Sequence, residues 1–226
     1  ALLAAAETLT RANQLSSAHA NFISPEQVAD FEAADWLIRT DQQFHWFNDG
    51  YASFDDFLAA LSSRKRKTIR RERSEALQDG ITVEHLTGAD LTEAHWDAFW
   101  VFYQDTGARK WGRPYLTRQF FSLLGERMAD RVLLMLAKHE GRYIAGALNL
   151  IGDDCLYGRY WGATVEVPFL HFELCYHQAI DWAIAHGLAR VEAGAQGAHK
   201  LARGYRPTTT YSAHYIPDPG FREAVA

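Results

Sequence analysis

The chain has 226 residues, of which 48% are hydrophobic and 23% charged, with a formal net charge of −5. These are the proportions of an ordinary soluble globular protein, large enough for one sizeable domain or two small ones. No run of residues approaches the ~18 apolar positions of a membrane span, and no signal peptide is evident, since the apolar start at Ala1 lacks a basic region and leads into Glu7. Two cysteines, Cys155 and Cys175, are too few for a disulfide framework and read as reduced, buried thiols, so a cytoplasmic protein is expected.

The pattern in chain order begins with a helix over Leu2–Leu15, free of Gly and Pro and with apolar residues three and four apart. A short strand follows at His19–Ile23. Ser24, Pro25 and Gln27 then form a helix start running to about Ala34. The aromatic stretch from Trp36 reads as a strand through Trp46, closed by the turn Asn48-Asp49-Gly50. Ser53 opens the longest expected helix, with Asp55 and Asp56 in its first turn and an end near Asp79-Gly80.

Ile81–Leu86 is the next strand. Leu91–Thr106 is a helix whose Trp96, Phe99, Trp100 and Tyr103 read as a core stripe. Gly107–Tyr115 is a polar and aromatic loop with Arg109, Lys110, Trp111 and Arg113, and Thr117 caps a helix to about Met128. Strands at Arg131–Lys138, Tyr143–Ile151 and Cys155–Trp161 lead to a helix over Phe169–His186 ended by Gly187. Strands at Ala189–Ala193 and Thr210–Ile216 close the chain. Three antiparallel strands, a helix and two further strands give an α/β (α+β) protein with a mixed, mostly antiparallel sheet flanked by helices. Neither a tandem repeat nor a low-complexity tract is present.

Two stretches concentrate chemistry. Arg64 to Arg73 holds seven cations against the single Glu72, which suits a solvated helix face or an anion site. Glu192 to Pro207 spaces Gly194, Gly197 and Gly204 among Glu192, Gln196, His199, Lys200, Arg203 and Arg206. That spacing suits a phosphate- or carboxylate-binding turn, or else a Gly-rich loop with solvated charges.

The second stretch, Gly194-Ala195-Gln196-Gly197-Ala198-His199-Lys200-Leu201-Ala202-Arg203-Gly204-Tyr205-Arg206-Pro207, resembles the C-terminal signature of the FemAB-like N-acyltransferases, members of the GNAT superfamily. Gln43-Phe44-His45-Trp46, the Leu61–Lys67 and Ile69–Arg73 pieces, Leu156–Gly162 and Pro168–Tyr176 match too, so the resemblance covers nearly the whole chain. It implies a bacterial GNAT acyltransferase-like fold with about one and a half units. Residues 87–226 would form the acyltransferase domain and residues 1–86 the latter part of a preceding half. Because the family's members are longer and this chain lacks a starting Met, a processed or shortened chain is expected.

The resemblance implies transfer of an acyl or aminoacyl group to a small-molecule or peptide amine, with no tightly bound cofactor. Acyl-CoA and aminoacyl-tRNA are the two donors to weigh. GNAT enzymes seat the CoA pyrophosphate at a helix N-terminus, usually with a Gly-rich turn. The matching turn here, Gly162 to Leu170, has a carboxylate and Pro168, a poor pyrophosphate cradle, and the resemblance to FemAB-type transferases implies aminoacyl-tRNA in its place. An RNA donor needs cations along its backbone. Arg64, Lys65, Arg66, Lys67, Arg70 and Arg71 are candidates, with Arg109, Lys110 and Arg113 beside them, although the acidic whole chain counts against a large RNA footprint. Transfer also calls for a base and an oxyanion-stabilising donor. Candidates for base are His171 and Glu173 at the helix entrance, and Glu192 and His199. Candidates for substrate binding are Arg159, Tyr160, Trp161, Gln196, Lys200, Arg203 and Tyr205. His171 and Cys175 share a helical face, but no companion ligand pair makes them a metal site.

Alternatives are a conventional acyl-CoA transferase or a non-catalytic module that binds a peptide or cell-wall fragment.

Overall fold

The computed structural model of the chain describes residues 1–109 and 114–225. In chain order the main elements are α1 (Leu2–Ala12), β1 (Ala18–Ile23), α2 (Val28–Ala33), β2 (Leu37–Phe47), α3 (Phe54–Ala60) and α4 (Ser63–Ala76). Next come β3 (Thr82–Leu86), α5 (Glu93–Arg109), α6 (Arg118–Met128), β4 (Val132–His139), β5 (Arg142–Ile151) and β6 (Cys155–Ala163). The rest is α7 (Leu170–Phe172), a π-helical turn (Glu173–His177), α8 (Gln178–Ala185), β7 (Arg190–Glu192), β8 (Arg206–Tyr215) and α9 (Pro219–Val225).

The chain divides into two compact units, residues 1–43 with 207–226, and residues 44–206. The expected boundary near residue 86 falls inside the second of these, because β3 pairs with β4 from Thr82↔Lys138 to Leu86↔Leu134. In the first unit β8 lies between β1 and β2. Its core gathers Ile23, Phe31, Trp36, Ala213 and Tyr215, and Trp36 donates its indole N–H to Glu7 at 2.9 Å.

In the second unit the strand order is β2, β7, β6, β5, β4, β3, and the described pairs are antiparallel except β6 with β7. β4 is fully buried over Val132–Ala137, so its alternation feeds a core on each face. Leu133, Met135 and Ala137 join the core built with α3, α4 and α8, whereas Val132, Leu134 and Leu136 join Trp96, Phe99 and Phe121 of α5 and α6. The aromatic stripe of α5 is core, as expected, with Trp96 and Phe99 almost wholly enclosed.

Two elements depart from the expected pattern for local reasons. The long helix from Ser53 is two helices. Leu61 turns to an extended conformation (φ −84°, ψ 157°), and Ser62 caps a new start by accepting the Lys65 N–H at 3.4 Å. Arg66 then donates to the Leu58 and Ala59 carbonyls at 3.3 and 3.2 Å, supplying donors to the end of α3. The helix over 169–186 contains the π turn, a feature common at functional sites. β8 also begins at Arg206, earlier than the expected Thr210.

Candidate functional site

The parallel pairing of β6 with β7 lasts only three residues, Cys155, Leu156 and Tyr157 against Arg190, Val191 and Glu192. Beyond Glu192 the chain stays with β2: Ala193 N–H donates to Phe44 O and Phe44 N–H to Gly194 O, each at 3.1 Å. β6 runs on to Ala163 paired with β5 on its other side, so β6 and β7 part after Tyr157 and the β6 backbone faces a wedge. Gly158 stands at the fork, where a Cβ would approach the Glu192 carbonyl to 3.3 Å. A cavity of about 430 Å³ occupies this place, walled by α5, β5, β6, the helix over 170–185 and Ala193.

The β5–β6 ladder carries a bulge at the same level. Leu148 faces Tyr160 and Asn149 faces Gly158, leaving Arg159 as an extra residue. Bulges re-aim side chains in this way. Arg159 is exposed, lines the cavity, and has no hydrogen-bond or ion-pair partner among the described residues. Next to it the Tyr160 hydroxyl bonds that of Tyr115, and its ring meets Tyr103 edge-on at 5.2 Å. On the opposite wall Trp161 lies 5.2 Å from the His171 ring, which in turn lies 5.5 Å from Tyr176.

Tyr176 joins the cavity to the glycine-rich loop. Its hydroxyl lies 3.1 Å from His199 Nε2. Burial pushes the Tyr176 phenol up. His199 is held below its ordinary value by burial first and then by the Arg203 and Lys200 charges. A neutral imidazole at neutral pH follows, able to accept the phenol proton when its own sits on Nδ1. Gly197, at φ +104°, is required here: a Cβ would come within 2.3 Å of the His199 ring.

Of the expected site residues, Arg159, Tyr160, Trp161 and His171 line the cavity, and His199 reaches it through Tyr176. The others lie outside its lining. Arg203 is 5% exposed, donates to Glu72 at 2.6 and 3.1 Å and to the His199 carbonyl at 2.8 Å, and stacks on Phe172 at 3.5 Å. Lys200 is buried, with its ammonium on the Ala193 and Gly194 carbonyls at 2.5 and 3.1 Å. These cations fasten the loop, whose turns leave carbonyls that need donors. Tyr205 is buried against Tyr176, and Gln196 is exposed, outside the cavity lining.

Neither carboxylate expected as a base lines the cavity. Glu192 shares a strand face with Arg190, which it accepts at 3.2 Å, while alternation turns Ala193 toward the cavity. Glu173 is fully enclosed in the π turn, accepting from Arg73 at 3.2 Å and Gln178 at 2.6 Å.

The basic block is likewise divided. Lys65 donates to the Leu201 carbonyl at 3.0 Å, Arg66 caps α3, Arg70 pairs with Asp55 at 3.3 Å, and Arg73 is half-buried. Arg64, Lys67 and Arg71, spaced three and four apart, are exposed along one helical face, where Arg71 also pairs with Glu75 at 3.5 Å. Arg71 lies 5.9 Å over the ring of Phe169, immediately before α7. Lys110, Trp111 and Arg113 lie outside the described residues, as does the side chain of Arg109.

Sequence reasoning missed Tyr103, Tyr176, Asn149 and Ala193 as cavity residues. Gly158, in a strand otherwise rich in aromatics, was the available signal of a bulge. Among the described residues there is no group of three or more His, Cys, Asp or Glu arranged to hold a metal, and no helix long and apolar enough to cross a membrane.

A mixed sheet whose parallel strands part beside a helix defines an α/β protein of GNAT type. The chain belongs to the FemAB-like family, described as peptidoglycan biosynthesis/recognition, whose model matches residues 1–226. Among solved structures it is similar to FemX (13% identity, 99% of this chain and 78% of that one, TM-score 0.71). It is also similar to the C-terminal domain of a putative lysylphosphatidylglycerol synthetase from Agrobacterium fabrum (12%, 97% and 73%, TM-score 0.71). A tandem GNAT protein from the clavulanic acid biosynthesis pathway shares the fold more distantly (12%, 96% and 69%, TM-score 0.55). A comparison with curated proteins gives no match.

Proposed function

We propose that this protein transfers an acyl or aminoacyl group to an amine in the cavity between β6 and β7. The observation that carries this reading is the wedge itself. A strand edge that has lost its neighbour offers backbone N–H and C=O groups to an extended, amide-bearing substrate. Side-chain groups able to move a proton stand at its walls: Tyr176, bonded to the neutral His199, and His171. In such a step the amine loses a proton and attacks the donor carbonyl, and the leaving oxygen or sulfur takes a proton up. The Tyr176–His199 pair is suited to carry one of these protons, and Arg159 to bind an anionic part of a substrate.

Aminoacyl-tRNA is the donor favoured here. The turn before α7 holds the Glu166 carboxylate and Pro168, which has no N–H to donate, a poor seat for a pyrophosphate. The exposed face of Arg64, Lys67 and Arg71 ends over Phe169, beside the helix that walls the cavity. Phosphates tracked along that face would bring a chain end toward the wedge. The family's description, peptidoglycan biosynthesis/recognition, agrees with a peptide amine as acceptor.

The test is titration with charged tRNA, acetyl-CoA and a longer acyl-CoA, read by calorimetry. Salt-sensitive binding of charged tRNA with silent CoA esters is expected. Saturable binding of a CoA ester alone would overturn the donor assignment and leave a conventional acyl-CoA transferase.

A further inference from the structure

The described residues that line the cavity include five aromatic side chains, Tyr103, Tyr115, Tyr160, Trp161 and Tyr176, and a single cation, Arg159, with no carboxylate among them. The volume of about 430 Å³ falls in the range of small-molecule sites and exceeds the need of a small group such as a methyl. Its rings are set edge-on or tilted to one another, as Tyr103 is to Tyr160 (84°) and Trp161 to His171 (57°), so an inserted ring finds both faces and edges to pack on.

The bulge gives Arg159 its place. In a regular ladder the residue would take its turn in the β6 alternation; as the extra residue it stands at the cavity lining with its guanidinium unpaired among the described residues. A guanidinium fork matches a carboxylate or phosphate oxygen pair. A cationic guest would meet Arg159 with no acid among the described lining residues to offset it.

We propose that the cavity selects an aromatic or bulky apolar group that carries an anionic end, a carboxylate or a phosphate, and that Arg159 pairs with that end. The inference deepens the transfer reading of the same cavity by naming the class of group handled, and rests on that reading for calling the group a substrate. The binding preference itself stands on the lining alone.

The experiment uses the full chain and small probes, followed by calorimetry and ligand-observed NMR. N-acetyl-phenylalanine and phenyl phosphate present the ring with each kind of anion. N-acetyl-phenylalanine methylamide removes the charge, N-acetylglycine removes the ring, and N-acetyl-lysine methylamide substitutes a cation. One or both aromatic anions should bind about tenfold or more tightly than the uncharged amide, the scale of one charge-assisted contact, and the better of the two identifies the source of the anion. The lysine probe and N-acetylglycine should bind more weakly than either. Arg159→Gln should bring acid and amide to equal affinity, and Arg159→Lys should keep part of the difference. Both variants should melt like the parent, because the residue is exposed.

The proposal is overturned if the lysine probe binds as well as the aromatic acids. It is also overturned if Arg159→Gln leaves the preference unchanged, or if neither aromatic anion saturates the protein up to its solubility. Transfer is assayed separately on the same variants. Absence of transfer with the probe preference intact counts against the transferase reading alone. Absence of the preference counts against this inference whatever the turnover.

Discussion

Arg203 and Glu72, 131 residues apart in sequence, meet in the core through two hydrogen bonds of 2.6 and 3.1 Å, and both side chains are almost fully enclosed. The pair ties α4 to the glycine-rich loop, and a third bond from Arg203 holds the His199 carbonyl. Replacing Glu72 with Ala would leave a buried guanidinium without its carboxylate. Such losses cost about 3–5 kcal/mol, so Glu72→Ala should unfold at markedly lower urea than the parent. Glu72→Gln, which keeps an acceptor, should lie between. Parent-like stability in Glu72→Ala would mean the clamp is not formed.

His177 sits in the same network, wholly buried, 3.2 Å from Glu72 and facing Glu173 and Arg73. Burial holds its imidazole below the ordinary 6.5, and this outweighs the neighbouring carboxylates. A group depressed in the folded state contributes stability that is present above its unfolded value and is lost as pH falls toward the folded one. Glu72 follows the same sign below its ordinary 4.5: burial opposes ionisation, and the bond to His177 and the Arg203 charge outweigh it. Stability measured by urea unfolding should therefore decline as pH drops below about 6.5, and decline further below about 4.5. A flat profile between pH 7 and 5 would contradict this assignment.

Gly197 keeps the His199 ring against Tyr176. Gly197→Ala would place a methyl 2.3 Å from that ring at a backbone φ of +104°. The strain, of order 1–3 kcal/mol, should be relieved by moving the loop, which breaks the Tyr176–His199 contact. Tyr176→Phe removes the same contact with little change in shape. Both variants should lose transfer by the ~10²–10⁴-fold typical of acid–base groups, while Tyr176→Phe melts close to the parent. Full activity in Tyr176→Phe would remove this pair from the mechanism.

The exposed face of α4 makes a separate prediction. If Arg64, Lys67 and Arg71 contact phosphates, replacing all three with Ala should shrink the salt slope of tRNA binding by roughly two to three. An unchanged slope would assign the face to solvent.

The element pattern was legible where side-chain periodicity and caps agree. The buried run of β4, the Thr117 cap of α6, the Ser24–Gln27 box and the β4–β5–β6 order with the following helix could all be read from residue types. The helix break at Leu61 was encoded in Ser62, but Ser62-Ser63 also fits a continuous helix. The site was less legible because charge does not declare its partner. Lys200 and Arg203 sit in a loop that looks built for an anion, yet the anion held by Arg203 is Glu72 and the acceptors of Lys200 are backbone carbonyls. Arg159 owes its place at the cavity to one extra residue in β6, and Tyr176 lines it from within a π turn, neither of which a periodic reading of side chains contains.

The most direct measurement is single-turnover transfer from labelled aminoacyl-tRNA, and in parallel from labelled acyl-CoA, to a peptide amine, by the parent and by Ala193→Phe. That substitution narrows the wedge at a half-buried position of the cavity wall. The account predicts amine-dependent transfer of label from the tRNA donor, lowered more than about tenfold in Ala193→Phe, with melting unchanged. No transfer to the peptide amine from either donor, or equal rates in parent and Ala193→Phe, would contradict it.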